Sequence, residues 1–147
     1  MTGRLVITFL ALLLTSTLLA GTISGPIYLG IDAKGARHEV PDTRGNAPWM
    51  RDLAHAVMPT VSPAARTDWY QGVGIFRLTL DPTTGAPREV TILRTTGHVA
   101  FDRRALLALK VWRWKPNTWK QVDIPLYFQL GGGVLIFPKY TVLRVRK

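Results

Sequence analysis

Residues 72–80 read GVGIFRLTL, and this stretch decides the fold because its apolar and polar side chains alternate. Phe76, Leu78 and Leu80 fall on one side of an extended chain, and the polar residues between them fall on the other. Such alternation is typical of a strand with one buried face. We therefore predict a strand over residues 72–80.

A turn, a second strand, a helix and a third strand are predicted in the residues that follow. Residues 81–85 (DPTTG) read as a loop and residues 88–94 alternate again, which predicts an antiparallel hairpin. Residues 101–111 repeat apolar side chains every three or four positions, which indicates an amphipathic helix. Residues 122–130 alternate once more. The order predicts an α+β fold in which a small antiparallel sheet packs on one main helix, as a β-β-α-β core.

The N-terminal segment predicts export from the cytoplasm. Residues 5–31 form a run of 27 uncharged residues behind Arg4, and residues 5–20 are almost wholly apolar. About 20 apolar residues cross a bilayer, so an uncleaved transmembrane anchor helix is physically sufficient. Cleavage after Ser24, with Thr22 two residues before it, is the alternative. We assign residues 1–23 to an anchor or a signal peptide.

The segments that flank the core have weaker patterns. Residues 24–60, rich in Gly and Pro, read as a linker or a weak hairpin, with a short amphipathic helix over residues 49–58. Residues 62–66 (SPAAR) resemble the start of one more helical turn. We assign residues 61–130 to the folded domain and residues 131–147 to a basic extension that offers an extra strand or strand pair over residues 134–145.

No catalytic or cofactor-binding constellation is recognised in the sequence. The chain contains no cysteine, and its three histidines, His38, His55 and His98, lack the spacing of a metal site. Glycine-rich phosphate loops followed by Lys and Thr or Ser are absent as well. We expect no enzyme activity, no metal and no cofactor.

The charge of the chain predicts anionic partners. The formal net charge is +10, and residues 99–147 hold ten Lys or Arg against Asp102 and Asp123. Such a balance attracts nucleic acid, acidic lipid head groups or acidic protein segments. Residues 112–116 (WRWKP) could form a platform for nucleic-acid bases or close the end of the helix against the sheet. We favour the second interpretation and expect no nucleic-acid partner.

Several short motifs together resemble the TonB C-terminal domain family. They are Thr95-Thr-Gly-His98, Phe101-Asp102, Trp112-Arg-Trp-Lys-Pro116 and Val122-Asp-Ile-Pro125, in this order and spacing. The resemblance runs from about Pro63 to Phe128. It implies a periplasmic domain, tethered to the inner membrane by a single N-terminal helix, that binds an outer-membrane TonB-dependent transporter.

The resemblance also implies how the partner is bound. In the family, an extended segment of the transporter adds as a strand to an exposed sheet edge, and energy from the proton gradient arrives through ExbB-like and ExbD-like partners. Here the edge candidates are the third strand or, where it pairs alongside, residues 134–145. The third strand's alternating apolar positions are the candidate partner-binding residues: Val122, Ile124, Leu126, Phe128 and Leu130.

Two departures from the family favour other roles. Residues 5–31 contain Ser16 and Ser24 but no histidine to couple with ExbB-like and ExbD-like proteins. The spacer is also short, because residues 24–60 reach at most roughly 120 to 130 Å. The alternative is therefore an envelope module that binds a protein or an anionic envelope polymer without energy coupling, and a homodimer is a further option.

Overall fold

The structure, a computed structural model, describes residues 25–41, 47–61, 71–129 and 133–136. Within them lie eight strands, one α-helix and one 3-10 helix. In chain order these elements are β1 (Ile27–Asp32), β2 (Arg37–Pro41), the 3-10 helix (Pro48–Asp52), β3 (Leu53–His55), β4 (Gly72–Leu80), β5 (Pro87–Arg94), α1 (Val99–Leu109), β6 (Arg113–Trp114), β7 (Trp119–Phe128) and β8 (Val134–Ile136).

The main sheet is antiparallel and has the strand order β2-β1-β7-β4-β5, with β8 also paired to β7. The predicted hairpin is confirmed as β4 and β5, and the predicted third strand is confirmed as β7. Opposite residues such as Phe76 and Ile124, or Leu78 and Val122, point to the same face of the sheet, as antiparallel register requires. This face forms the core.

One amphipathic helix covers the core, as predicted. It spans Val99–Leu109, so it both begins and ends two residues earlier than the apolar pattern indicated. Its buried side includes Phe101, Ala105 and Leu109, and the ring of Phe101 stacks on Phe128 of β7 with centroids 4.7 Å apart. The α+β class and the strand, strand, helix, strand order of the core are therefore confirmed.

Four tryptophans lie in the core, and the indole N–H of each one has a hydrogen-bond acceptor. The indole of Trp49 donates to the carbonyl of Asp123 (3.1 Å), and that of Trp114 donates to the carbonyl of Trp49 (2.9 Å). Trp112 donates to the carbonyl of Val57, and Trp119 to the carboxylate of Asp52. All four rings are buried, so Trp112 and Trp114 close the end of the helix, and their faces are not open to nucleic-acid bases.

The predicted helix over residues 49–58 is wrong beyond Asp52. A 3-10 helix occupies Pro48–Asp52, and Leu53–His55 then form a strand that pairs with β6. The reason is tertiary. In an α-helix, backbone carbonyls here would accept hydrogen bonds from amides four residues later, but they accept from distant groups instead. The carbonyl of Trp49 accepts from the indole of Trp114, and the carbonyl of Asp52 accepts from the amide of Lys115 at 2.8 Å.

Of the two interpretations of residues 24–48, the hairpin is the one that the structure contains. Strands β1 and β2 pair with each other, and β1 also pairs with β7. The predicted anchor, the helical turn at residues 62–66 and the tail beyond Ile136 lie outside the described residues. Among the residues that are described, no helix is long and apolar enough to cross a membrane.

Candidate partner-binding edge

The predicted binding residues on β7 point into the protein. Val122, Ile124 and Leu126 are fully buried, Phe128 is buried beneath α1, and Leu130 lies outside the described residues. Their side chains form the core face that packs against the helix. Any partner that pairs with this strand must therefore contact its backbone and the side chains on the opposite face of the strand, such as Tyr127.

Strand β7 is central in the sheet, and the expectation that it is a free edge needs correction. One edge pairs with β4 from Gly72 opposite Phe128 to Thr79 opposite Gln121. The other edge, which we call the outer edge of β7, pairs with β1 near Val122 and with β8 at residues 126–128. The role of β7 in partner binding remains a prediction, but it cannot rest on an unpaired backbone at these positions.

The β1 cover is held firmly. The amide of Leu29 donates to Oδ2 of Asp123 at 3.0 Å, and Gly30 lies opposite Val122. Close packing adds to this, because a Cβ placed on Gly30 would come within 2.4 Å of the Trp49 ring. The site where β1 meets β7 therefore needs glycine and leaves no gap for a guest chain.

The β8 cover has less support than the β1 cover. Each makes three residue pairs with β7 in the described residues, but β1 is also paired with β2 on its other side. In the β8 cover, Leu126, Tyr127 and Phe128 lie opposite Ile136, Leu135 and Val134. Next to these pairs, the amide of Gln129 donates to the carbonyl of Gly133 at 2.8 Å. Ile136 is buried, while Val134 and Leu135 are half-buried. Among the described residues, β8 is therefore held by its backbone pairing with β7 and by the buried side chain of Ile136.

The sheet has two further edges. Strands β5 and β2 each pair on one side only within the described part of the chain. Charged residues line both, with Arg88 and Glu89 on β5 and the exposed Arg37–Glu39 ion pair on β2. Charges on an edge strand discourage unplanned pairing with another chain, so these edges are protected.

Hydrogen bonds connect the Thr-Gly-His motif to the first turn of α1. The Asp102 carboxylate accepts hydrogen bonds from the hydroxyls of Thr95 and Thr96 and from the Thr96 amide. Burial raises the pKa of Asp102, but these hydrogen bonds outweigh burial and lower the pKa below 3.8. His98 is the residue before the helix and contacts Phe101 edge to face. These residues orient α1, and their arrangement gives no sign of acid-base chemistry.

Metal chemistry has no visible basis in the described residues. No group of three or more His, Asp or Glu residues there could hold an ion. His38 instead bonds Asp32 at 3.0 Å and contacts the Trp119 ring edge to face.

Comparison with protein families gives one match, which covers the helix and the strands β4 to β7. Residues 59–130 match the family described as Gram-negative bacterial TonB protein C-terminal. This region of the chain belongs to the TonB C-terminal domain family. The family consists of interaction domains of an energy transducer and is not a family of enzymes, and it connects the chain with transport in the cell envelope. No curated protein matches the chain.

The family match does not extend to the strands that cover β7. Strand β1 lies before residue 59, and β8 lies after residue 130. Both covers of the outer edge therefore come from parts of this chain outside the matched region. Pairing of residues 134–145 alongside the third strand was one predicted option, and it is confirmed for Val134–Ile136. No sequence pattern indicated that β1 would cover the same edge.

Proposed function

We propose that this protein binds an extended segment of an outer-membrane TonB-dependent transporter in energy-dependent transport across the outer membrane. The observation that supports the proposal is that the outer edge of β7 pairs at residues 126–128 with β8, which has three residues in the part of the chain that the structure describes and pairs there with β7 alone. A guest strand that replaces β8 would regain the same backbone hydrogen bonds at residues 126–128. Such an exchange costs little because the sheet does not have to open elsewhere.

The binding step follows from the geometry of β7. A guest strand beside Leu126 and Phe128 uses main-chain groups, because these two side chains remain in the core. Specificity then comes from Tyr127, which is half-buried and whose hydroxyl lies 3.2 Å from that of Tyr28. The β1 cover near Val122 stays in place and limits how far the guest can extend.

The remaining parts of the proposal follow from the family. We place the domain in the periplasm, with residues 1–23 as a single-pass anchor in the inner membrane or as a cleaved signal. Coupling to ExbB-like and ExbD-like proteins would have to use residues other than a histidine in the anchor, because residues 5–31 contain no histidine.

Site-specific photocrosslinking in cells tests this proposal. A benzoyl-phenylalanine replaces Tyr127 on β7 in the full-length chain, and the same replacement of Thr91 on β5 is the control. We expect Tyr127 to crosslink to an outer-membrane transporter and Thr91 not to do so. Transporter capture from Thr91 alone would move the site to the β5 edge. Capture from neither position would overturn the proposal.

The second candidate is an envelope module that binds a protein or an anionic polymer without energy coupling. The excess of cations favours it, because opposite charges attract over a Debye length of about 10 Å at 0.1 M salt. Under this alternative the Tyr127 crosslink to a transporter is absent, and binding to lipopolysaccharide weakens steeply with added salt.

A further inference from the structure

The outward side of α1 carries cations and exposed apolar residues together. Val99, Arg103 and Leu107 recur every four positions along the helix, and Lys110 and Val111 follow in the turn directly after it. We call this set the α1 outer face. Val99 is 81% exposed, Leu107 57% and Val111 45%, so three large apolar side chains of α1 and the turn after it face solvent.

The charge of this face is uncompensated. Residues 90–119 contain six Lys or Arg and a single acidic residue, Asp102. Asp102 is buried and its oxygens are bonded to Thr95 and Thr96, so it does not neutralise the surface. Within the described part of the chain, Arg103, Arg104 and Lys110 make no ion pair.

The shape of the face selects the kind of partner. The outer side of a helix is convex, so it lacks the groove or strand edge that an extended peptide needs. Cations mixed with apolar side chains on a convex surface suit a layer of lipid head groups, where phosphates meet the cations and short apolar groups enter the acyl boundary. An anionic bilayer therefore satisfies both the charge and the apolar exposure of this face.

We propose that the α1 outer face docks the domain on an anionic phospholipid surface. Arg103 and Lys110 contact lipid phosphates, while Val99 and Leu107 enter the interface between head groups and acyl chains. This contact is independent of transporter binding, because α1 and the outer edge of β7 are different surfaces of the domain. Docking would hold the domain beside the membrane while the β7 edge remains available.

A cysteine-free chain allows a direct test. Single cysteines at Leu107 or at Ala36, an exposed residue of the β1–β2 turn, carry a fluorophore in the full-length protein. The protein is combined with vesicles of phosphatidylcholine alone or of equal parts phosphatidylcholine and phosphatidylglycerol, each with spin-labelled lipid as quencher. We expect quenching of the Leu107 probe only with phosphatidylglycerol, and none at Ala36.

Charge-removing variants separate this face from general attraction. The pair Arg103→Gln and Lys110→Gln should weaken the lipid contact about fivefold per cation removed. The matched pair Lys34→Gln and Lys120→Gln removes the same charge from exposed sites outside α1 and should leave quenching unchanged.

Three outcomes would overturn the proposal. The first is equal loss of quenching in both variant pairs, which would indicate diffuse charge. The second is equal quenching of the Leu107 and Ala36 probes. The third is absence of lipid quenching combined with shielding of the Leu107 probe by a polyglutamate peptide, which would assign the face to an acidic protein segment. The crosslinking experiment at Tyr127 is unaffected by any of these results.

Discussion

Arg77 and Asp123 form a two-point ion pair across β4 and β7, with Nε 2.8 Å from Oδ1 and Nη2 2.9 Å from Oδ2. The Asp123 side chain is only 3% exposed, and its Oδ2 also accepts the Leu29 amide. One carboxylate thus joins three adjacent strands, β4, β7 and β1. The firm cover of the outer edge near Val122 depends on this residue.

Replacing Asp123 by alanine should destabilise the protein by about 2 to 4 kcal/mol, because it leaves the Arg77 guanidinium and the Leu29 amide without their acceptor. Urea unfolding measures the loss, and hydrogen exchange at Leu29 should accelerate. Glu39→Ala breaks the exposed Arg37–Glu39 pair and should change stability by no more than about 1 kcal/mol. Equal effects of the two substitutions would contradict the role of Asp123.

Gly30→Ala should cost at least about 1 to 3 kcal/mol, because the new methyl group meets the Trp49 ring inside a close-packed core. Thermal unfolding of the two proteins gives the difference. Gly133→Ala is the matched control, since its Cβ would come no closer than 3.4 Å to Gln129. A Gly30→Ala protein as stable as the original would show that β1 packs less tightly on β7 than described.

Asp102→Asn should lower stability at pH 7 by about 1 to 2 kcal/mol, because the ionised acceptor of three hydrogen bonds is lost. The pKa of Asp102 is lowered in the folded state, so its ionised form contributes stability above the unfolded pKa. That contribution is lost as pH falls through the folded value, below 3.8. Denaturation of both proteins from pH 7 to pH 3 should therefore show a difference that shrinks at the acid end. A difference independent of pH would indicate that the charge of Asp102 is unimportant.

A disulfide between Tyr127→Cys and Leu135→Cys should lock β8 onto β7. These residues lie opposite each other, and opposite Cα atoms in antiparallel strands are about 4.5 to 5.5 Å apart, within disulfide range. Under the proposed exchange, the oxidised protein fails to bind a transporter segment in a pull-down. The reduced protein binds it as tightly as the single variant Tyr127→Cys, which measures the effect of losing the Tyr127 ring by itself. The single variant Leu135→Cys should bind in both redox conditions. Binding by the oxidised double variant would exclude replacement of β8 as the mechanism.

The core was predictable because its signals are local. Alternation in residues 72–80 and 122–130 marks strands, and the three-to-four spacing of residues 101–111 marks a helix, whatever the rest of the chain does. The structural interpretation of Trp112 and Trp114 also followed from their position at the end of that helix. The order of motifs then sufficed to place the region in its family.

The failures share one physical cause. An amphipathic pattern over residues 49–58 satisfies a helix, yet the carbonyls of Trp49 and Val57 accept bonds from the indoles of Trp114 and Trp112, far along the chain. Local periodicity carries no information about such distant donors. The same limit applies to residues 24–48, whose glycines and prolines left a linker and a hairpin equally open.

The amino-acid sequence by itself determined the elements of the core, their order, the buried faces and the family, because side-chain periodicity and motif spacing are properties of neighbouring residues. Only the tertiary structure decided that β1 lies along the outer edge of β7 and that, of the options open for residues 134–136, pairing with β7 is the one adopted. A strand's alternation states which face is buried but not which strand pairs with its backbone. That choice is made by contacts between distant residues, the Leu29 amide with Asp123, Gly30 against Trp49, and β8 with residues 126–128.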